Sequence, residues 1–305
     1  MYRDGKPYYS LDLYYKTIFG RKAAKLPIDA GFSCPHRDPE TGLGGCIFCG
    51  SRGSGEFAPP SFLSIAEQIE KGKSLYSKKW QNPVYIAYFQ AFSNTYAPIP
   101  VLRRRYEEAL SAEGISGLSI ATRPDCIDSE TLELLSEING RTKLWVELGL
   151  QTSLEKTAGF INRGFSNECF DKAVSALHLA GINTVAHIIL GLPGESQGDM
   201  INTVRYAASR GVSGVKLHML YILKNTRLFE IYNEKPFHIL DKNEYIKILS
   251  ECIEHIPPDT VIHRITGDPP KKELCLPLWA ADKKDVLNKI HSYMKENGVS
   301  QGKRL

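Results

Sequence analysis

Short apolar runs alternate with stretches of helical periodicity along most of this chain. Six of the runs have the length and composition of buried parallel strands, at residues 26–30, 84–89, 118–121, 144–148, 185–190 and 215–220. The intervening periodicity predicts helices at residues 63–79, 101–110, 132–138, 170–177 and 200–209. Six repeats of strand then helix predict parallel strands with right-handed crossovers, in an open doubly wound sheet or in a complete or partial barrel.

Local signals mark several of the helix ends. Ser129 is placed to cap the helix at 132–138, and Pro100 precedes the helix at 101–110. Gly181 and Gly211 follow two of the periodic stretches, where glycine commonly ends a helix.

Two segments lie outside the alternation. Residues 1–24 are aromatic and basic and are interpreted as an N-terminal extension. Residues 223–305 contain predicted helices at 242–255 and 282–295 and are interpreted as a C-terminal extension. The barrel is then assigned to residues 25–222. With no linker and no internal repeat in the sequence, one structural domain overall is expected.

The composition narrows the class of protein. The 305 residues are 42% hydrophobic and 24% charged, which is ordinary for a globular chain. No run approaches the roughly 18 consecutive apolar residues of a membrane helix, and residues 1–6 lack the apolar core of a signal peptide. We therefore expect a cytoplasmic protein, and the secreted, membrane and fibrous classes are disfavoured.

Charge and cysteine content leave room for nucleic acid and for metal. The net charge of +4 tolerates a polyanionic partner such as RNA without requiring one. Seven cysteines are an odd number for a disulfide framework. Thiols that stay reduced in a cytoplasm are free to bind metal.

Three cysteines follow the first predicted strand, in a loop rich in glycine. They are Cys34, Cys46 and Cys49, with Gly42, Gly44, Gly45 and Gly50 around them. Loops that follow strand C-termini carry the chemistry in parallel α/β folds. Three thiolates in one such loop can ligate an iron–sulfur cluster, and three protein ligands leave one iron of a four-iron cluster open.

Other interpretations of the loop remain open on spacing alone. A zinc site would need a fourth ligand, for which His36 and Cys126 are candidates at irregular spacing. A thioredoxin-like motif at Cys46 and Cys49 would need a helix starting at the first of these cysteines, and the glycines from 50 to 55 argue against one. Three unrelated buried cysteines are the remaining alternative.

The sequence resembles the YtqA/YhcC-like (MnmL-type) radical SAM family, which is related to the radical SAM subunit of Elongator. The cysteine motif departs from the superfamily's commonest Cys-x3-Cys-x-aromatic-Cys spacing between its first two cysteines, as is typical of this group, and keeps the aromatic residue at Phe48. The resemblance also covers residues 88–90, 121–125, 147–151, 191–195, 263–270 and 277–279.

This resemblance implies an α/β fold, a partial (β/α)6 radical SAM barrel with N-terminal and C-terminal extensions. It implies two cofactors, a [4Fe-4S] cluster held by Cys34, Cys46 and Cys49 and S-adenosylmethionine (SAM) bound to the open iron. Reductive cleavage of SAM would yield a 5′-deoxyadenosyl radical that abstracts a substrate hydrogen. The cofactors supply this chemistry, and the protein supplies position and a dry environment.

The resemblance also implies which residues bind SAM. Small polar groups after the second strand would accept hydrogen bonds from its ammonium, and an arginine would bind both oxygens of its carboxylate. The residues so assigned are Gln90, Ser93, Asn94 and Thr95 for the ammonium, Gln151 for the ribose, Arg163 for the carboxylate, and the backbone of Gly191, Leu192 and Pro193 for the adenine.

Four further residues are assigned to the cofactor pocket: Phe48, Arg123, Glu147 and His187. Phe48 lies in the cysteine loop itself. Glu147 lies in an apolar strand, where a carboxylate needs a partner, and the cofactor or Arg123 is the expected one. His187, also within an apolar strand, is either a satisfied core histidine or a group near the ribose.

Candidates for catalysis are less specific. Tyr88 and Cys126 could relay a hydrogen atom, although packing explains both equally well. His263 and Asp268, with Arg264 between them, are poor core material before Pro269 and are interpreted as a substrate wall. The remaining cysteines lack cluster spacing.

The implied substrate is tRNA. Relatives in this group are associated with wobble uridine, and the narrower resemblance implies conversion of a carboxymethylaminomethyl group to aminomethyl. The chain has no room for Elongator's acetyltransferase domain, which disfavours acetyl-CoA-dependent carboxymethylation. The expected partners are tRNA, an electron donor such as flavodoxin or ferredoxin, and a downstream methyltransferase.

Basic residues give this substrate modest independent support. Phosphates could be contacted by residues 103–105, by the lysines at 71, 73, 78 and 79, and by residues 271–272. Such charge on outer helices is more often a solvated helix face. Two other hypotheses remain: a radical SAM enzyme with a small-molecule or peptide substrate, and a zinc-binding RNA module without catalysis.

Overall fold

The computed structural model describes residues 2–40, 42, 44–77 and 79–305, so Lys78 lies outside the described residues. Its strands are β1 (Ala23–Ile28), β2 (Val84–Phe89), β3 (Ile115–Thr122), β4 (Lys143–Gln151), β5 (Asn183–Leu190), β6 (Gly214–Met219), β7 (Ile222–Leu223), β8 (Val261–Arg264) and β9 (Leu274–Leu276). Its helices are α1 (Leu11–Phe19), α2 (Ile65–Ser77), α3 (Ile99–Ser111), α4 (Ser129–Asn139), α5 (Glu155–Phe160), α6 (Asn167–Leu179), α7 (Gln197–Ser209), α8 (Arg227–Glu234), α9 (Lys242–Glu254) and α10 (Lys283–Glu296).

Seven strands form one parallel sheet in the order β1-β2-β3-β4-β5-β6-β8. In a flat sheet β2 and β6 would lie about 19 Å apart, because neighbouring strands are about 4.8 Å apart. The Lys216 Nζ of β6 nevertheless donates to the Tyr88 hydroxyl of β2 at 3.0 Å. The sheet is therefore curled into a half barrel, and the prediction of a partial barrel is confirmed.

The six predicted strands are all present in this sheet, and its seventh strand was not predicted. Strand β8 comes from the segment interpreted as a C-terminal extension, and a register shift where it pairs with β6 places Lys216 opposite Arg264. Four residues containing His263 and Arg264 do not form an apolar run, so the pattern of hydrophobic residues does not predict this strand.

Most predicted helices begin and end within a few residues of the observed ones. The expected N-cap of α4 is wrong by one position, because the Asp128 carboxylate rather than Ser129 accepts from the Thr131 N–H. Gly181 ends α6 as expected, with a φ of +66°. Among the helices that the structure describes, none combines the length and the apolar character needed to span a bilayer.

The two ends of the chain pack together beside β8. Ser10 forms a parallel bridge with Ile262, and the Gln301 N–H donates to the Pro7 carbonyl oxygen at 2.9 Å. Helix α1, capped by Ser10, places Tyr15 in T-shaped contact with Trp145 at the start of β4. Both terminal segments therefore cover the end of the barrel at which the strands begin.

The barrel core makes a specific prediction about stability. Leu148 on β4 is fully buried, whereas Leu179 at the end of α6 is 85% exposed. Leu148→Ala should lower the free energy of unfolding by about 2–5 kcal/mol, because it leaves a cavity in the core. The matched Leu179→Ala change should leave it nearly unchanged. Denaturant unfolding of both variants checks this, and equal effects would contradict the described packing.

Candidate active site

A cavity of about 410 Å³ opens at the end of the half barrel where the strands finish. Its walls combine the cysteine loop with side chains from inside the sheet. The residues assigned from sequence that line it are Cys34, Cys46, Phe48, Cys49, Tyr88, Gln90, Ser93, Arg123, Glu147, Gln151, His187 and Asp268. Asn94, Thr95, Cys126, Arg163, Gly191, Leu192, Pro193 and His263 do not line it.

The cysteine loop is fixed by hydrogen bonds within the loop. Cys34 precedes a short turn whose Arg37 side chain donates from Nη2 to the carbonyl oxygens of Cys49 at 2.7 Å and Gly50 at 2.9 Å. The Cys49 N–H donates to the Cys46 carbonyl oxygen at 3.1 Å. One guanidinium thus ties the start of the loop to its end.

A small apolar cluster supports this loop from below. Ile47, between two of the cysteines, packs with Ile161, Leu192, Ile222 and Leu228. Its N–H and carbonyl oxygen are also paired, with the Ile161 carbonyl at 3.1 Å and the Leu228 N–H at 2.9 Å. The thiols on either side are therefore held on a rigid base.

The three thiols are a suitable donor set for an iron–sulfur cluster. All three are free and partly exposed to the same cavity. Burial raises the pKa of Cys46 to about 12, and the neighbouring Cys49 adds to the rise while Arg123 opposes it. Such thiols ionise when a metal binds them. In the described part of the chain, no three His, Cys, Asp or Glu side chains lie close enough to hold a single metal ion.

Neither residue considered as a fourth zinc ligand lines the cavity with the three thiols. The His36 Nε2 is 3.0 Å from the Asn162 carbonyl oxygen, and its ring packs on Gly164 so closely that a Cβ there would lie 2.2 Å away. Gly164 has a φ of +80°, which also favours glycine. Cys126 lies in a short turn outside the cavity wall.

The polar loop after β2 divides into two parts. Gln90 and Ser93 face the cavity. Asn94 instead donates from Nδ2 to the carbonyl oxygens of Phe89 and Ala121, at 3.1 and 2.8 Å. The Thr95 hydroxyl donates to the Cys126 carbonyl oxygen at 2.7 Å. Asn94 and Thr95 therefore hold the loop in place, although the Asn94 Oδ1 is buried without a hydrogen bond among the described residues.

Arg163 is also placed differently from the expectation. Its side chain is fully buried, and it donates from Nη1 to the carbonyl oxygens of Thr152 at 2.7 Å and Leu150 at 3.2 Å, and from Nε to that of Phe165 at 3.0 Å. With these donors engaged, the guanidinium braces the end of β4 and does not line the cavity.

The segment assigned to adenine lies outside the cavity wall. The Gly191 N–H is 3.1 Å from the Met200 Sδ, and its φ is +91°. Leu192 is buried in the apolar cluster beneath the cysteine loop. This segment therefore supports the loop in the described structure, and Pro193 follows it away from the cavity.

Arg123 and Gln151 line the cavity beside the cysteines. Arg123 binds Asp125 through two hydrogen bonds of 2.9 and 2.7 Å and stacks on Phe165. Burial lowers its pKa, but the paired Asp125 outweighs burial and raises it. Gln151 has a positive φ of +61°. Ser54 and Phe92 in the same wall also have positive φ values, of +67° and +62°. Positive φ in such residues stores strain, which is typical of functional sites.

Deep in the cavity, one carboxylate gathers polar side chains from four other strands. Glu147 on β4 is fully buried and accepts from the Nζ atoms of Lys25 and Lys216, from the Ser119 hydroxyl at 2.6 Å, and from the His187 Nε2 at 2.8 Å. We call these five residues the barrel floor. The expected partner of Glu147, Arg123, is not among them, and the two lysines take its place.

Burial and charge set the protonation of the barrel floor. Burial disfavours the Glu147 carboxylate, but the charges of Lys216 and Lys25 and the His187 hydrogen bond hold its pKa well below the usual value. Burial lowers the pKa of Lys216 to about 7, with Glu147 opposing and Lys25 and Arg264 reinforcing the shift. Burial, reinforced by Lys216, lowers the pKa of His187 to about 4.

The candidates for catalysis separate in space. Tyr88 lines the cavity above Lys216, and burial raises its pKa well above the usual value. Asp268 also lines it and accepts from the Lys283 Nζ at 2.6 Å. His263 lies at the opposite end of the barrel, in a second cavity bounded by Trp145, and its Nδ1 is buried without a hydrogen bond. The structure therefore does not place His263 in a substrate wall.

Sequence reasoning missed Lys25, Lys216 and Arg37. Lys216 lies between Val215 and Leu217 in an apolar strand, and this is the same signal that drew attention to Glu147 and His187. Arg37 offers no such signal, because a cation in a polar loop is ordinary.

Comparison with known proteins identifies this class of site. Residues 34–207 match the Radical SAM superfamily, and residues 212–296 match the Radical_SAM C-terminal domain. The parallel half barrel with its three-cysteine loop at the mouth is thus the fold and site of a radical SAM enzyme. The cofactors of such an enzyme are a [4Fe-4S] cluster and SAM, as predicted.

Within this superfamily, the chain belongs to the YtqA/YhcC-like family. It is 41% identical to YtqA of Bacillus subtilis (strain 168) over 298 residues, covering 98% of this chain and 92% of that protein. It is 36% identical to YhcC of Escherichia coli (strain K12), covering 94% and 92%.

The fold of the chain is also similar to a solved structure. The archaeal Methanocaldococcus infernus Elp3 with an N-terminal deletion superposes with a TM-score of 0.70 at 17% identity. The match covers 92% of this chain and 64% of that one, so this chain spans a little under two thirds of the solved chain's length.

The barrel floor makes a prediction about stability and pH. Glu147→Gln should lower the free energy of unfolding by about 3–5 kcal/mol at neutral pH, because it leaves buried cations without a countercharge. The folded-state pKa lies below the usual 4.5, so the carboxylate's contribution is present above that pH and is lost on acidification. As the pH is lowered, the free energy of unfolding should therefore fall less steeply in the variant than in the natural protein.

The matched control is Glu107→Gln, whose partner Arg141 is exposed. This change should alter stability little, since exposed ion pairs are screened by water. If both variants unfolded alike, Glu147 would not be the buried charge described.

Proposed function

We propose that this radical SAM enzyme acts on tRNA and converts a carboxymethylaminomethyl group on a wobble uridine to aminomethyl. The observation that carries the proposal is that the cysteine loop and the barrel floor open into one cavity. A cofactor at the loop would then face a substrate group that reaches in from the mouth. Mass analysis of tRNA nucleosides, described below, tests the reaction.

In this proposal Cys34, Cys46 and Cys49 hold the cluster. Gln90 and Ser93 face the same space with small polar groups suited to an ammonium. Arg123 lies beside the thiols with its charge paired to Asp125. When bound, the cluster and SAM supply one-electron chemistry and hydrogen-atom abstraction.

The chain's own residues shape where that chemistry takes place. Phe48, Phe92 and Phe165 contribute apolar wall around the polar groups. Apolar walls exclude water, which strengthens the electrostatic interactions within the cavity. The protein thereby limits the reaction to a group that enters from the mouth.

The names of more distant relatives support tRNA as the substrate. The chain is 26% identical over 186 residues to the tRNA uridine(34) acetyltransferase of Methanocaldococcus jannaschii, covering 60% of this chain and 33% of that protein. Matches to proteins named Elongator complex protein 3 are of similar strength. An exposed aromatic side chain at the cavity wall, Phe57, is the kind of surface on which an unpaired base stacks.

Basic residues on the outer helices contribute less than their number suggests. Arg103 pairs with Glu137, and Lys73 pairs with Glu70, so their charge is already balanced. The proposal therefore places tRNA recognition at the cavity mouth. The other proposed partners are an electron donor such as flavodoxin or ferredoxin and a methyltransferase that consumes the aminomethyl product.

The cluster assignment predicts the effect of removing one thiol. Cys46→Ala should lose most of the bound iron and the 5′-deoxyadenosine released with dithionite and SAM after anaerobic reconstitution, because three ligands are needed to hold the cluster. Cys169→Ala, on α6 away from the cavity, should retain both. Iron analysis, visible absorption and chromatography of the nucleoside product check this.

Two outcomes would contradict the cluster assignment. Retention of iron and of 5′-deoxyadenosine release by Cys46→Ala would remove Cys46 from the ligand set. Stoichiometric zinc with no visible chromophore in the natural protein would favour a zinc-binding module instead.

The substrate assignment predicts a change in tRNA. A strain lacking the gene should accumulate carboxymethylaminomethyluridine and lose aminomethyluridine at the wobble position, because the conversion stops. Mass analysis of tRNA nucleosides checks this, with the complemented strain as control. Unchanged nucleosides, together with tRNA binding no stronger than that of an unrelated RNA at the same salt concentration, would favour a small-molecule or peptide substrate.

A further inference from the structure

The barrel floor and its neighbour Arg264 carry more positive than negative charge. Lys25, Lys216 and Arg264 all line the cavity around the single carboxylate of Glu147. Arg264 on β8 lies directly opposite Lys216 on β6 in the sheet. His187 does not alter this balance, since its lowered pKa leaves it neutral at neutral pH.

Arg264 is the cation in this set whose charge remains unbalanced. Both lysines bind Glu147, whereas within the described residues the Arg264 guanidinium makes no hydrogen bond or ion pair. Asp268, four residues further on, is already paired with Lys283. An arginine presented to a partly enclosed cavity without a partner has its donors available for a planar anion.

Lys216 has a lowered pKa in these surroundings. Burial comes first among its causes, and the nearby charges of Lys25 and Arg264 add to it despite the attraction of Glu147. The groups that face Lys216 are Lys25 on β1, Tyr88 on β2, Glu147 on β4, His187 on β5 and Arg264 on β8. An added anion would balance the charge and favour the protonated lysine.

We propose that Arg264 and Lys216 form a subsite for a carboxylate at the inner end of the substrate. This inference rests on the proposed function, whose substrate ends in a carboxylate group. The Arg264 guanidinium and the Lys216 ammonium donate hydrogen bonds to the anion. Tyr88 lies beside Lys216. The subsite would thus distinguish a carboxymethylaminomethyl group from its aminomethyl product, which lacks the anion.

The position of this subsite separates it from the cofactor. The charged groups nearest the Cys46 and Cys49 thiols are Arg37, Arg123 and Glu56. Neither Arg264 nor Lys216 is among them. The depth of the subsite also favours the tip of a modified base over a backbone phosphate, which stays at the cavity mouth.

A binding experiment tests the subsite without relying on turnover. The probe is N-acetylglycine, compared with its neutral amide N-acetylglycinamide, added to the cluster-loaded protein at constant ionic strength and followed by saturation-transfer NMR. The natural protein should bind the carboxylate about tenfold or more tightly than the amide. Arg264→Gln and Lys216→Met should each lose most of this preference.

Matched controls separate the subsite from general charge. Arg227→Gln and Lys172→Met remove exposed cations that pair within their own helices, and both should keep the preference. Equal binding of acid and amide by the natural protein, or an unchanged preference in Arg264→Gln and Lys216→Met, would overturn the inference. So would a loss of SAM affinity in Arg264→Gln as large as its loss for N-acetylglycine, since the subsite would then belong to the cofactor.

A second measurement links the subsite to tRNA. The kcat/KM for tRNA carrying the carboxymethylaminomethyl group is compared with that for tRNA carrying the corresponding carbamoylmethyl amide. The natural protein should prefer the acid by about tenfold or more, and Arg264→Gln should remove the preference. Retention of that preference by Arg264→Gln would overturn the inference. Carboxylate binding by the natural protein with no turnover of either tRNA would uphold the subsite and reject the proposed function.

Discussion

The half barrel depends on the buried carboxylate of Glu147 and the side chains that converge on it. A fully buried carboxylate is unfavourable unless it is paired and hydrogen-bonded, and Glu147 meets this requirement through strands that are distant in a flat sheet. Lys25 reaches it from β1 and Lys216 from β6. The curl of the sheet and the satisfaction of this charge therefore require each other. We infer that this network favours one arrangement of strands more than it adds net stability.

The same network divides the cavity into two electrostatic regions. Near the mouth, Arg37 and Arg123 accompany the thiols, and Arg37 is committed to carbonyl oxygens of its own loop. Deeper in the barrel, two lysines and Arg264 surround one carboxylate. The charged groups around the thiols thus differ from those around the buried carboxylate. A reaction between a cofactor and a substrate needs this kind of separation.

Much of the fold could be predicted from the sequence, because buried parallel strands form apolar runs. Strand β2 was predicted at its observed limits, and the remaining five within a few residues. Strand β8 could not be found in this way, since it is four residues long and contains His263 and Arg264. Its pairing depends on packing against β6 and the N-terminal segment, which sequence periodicity does not report.

The candidate site was predicted in part for similar physical reasons. Cysteine spacing and a carboxylate in an apolar strand are visible in the sequence, and these residues meet in the cavity. The motif around Arg163 could not show that its guanidinium would donate to carbonyl oxygens at the end of β4. Lys25 was overlooked because lysine in a strand is usually interpreted as a solvent-facing residue.

The bridge from Ser10 to Ile262 and the contact between Pro7 and Gln301 have a consequence for biosynthesis. Strands β1 to β6 can pair as soon as they leave the ribosome, because each lies next to its predecessor. Strand β8 can join β6 and Ser10 only after translation has passed position 264. Until then the arginine at position 264 is absent from the barrel, so this wall of the catalytic chamber forms after the first six strands.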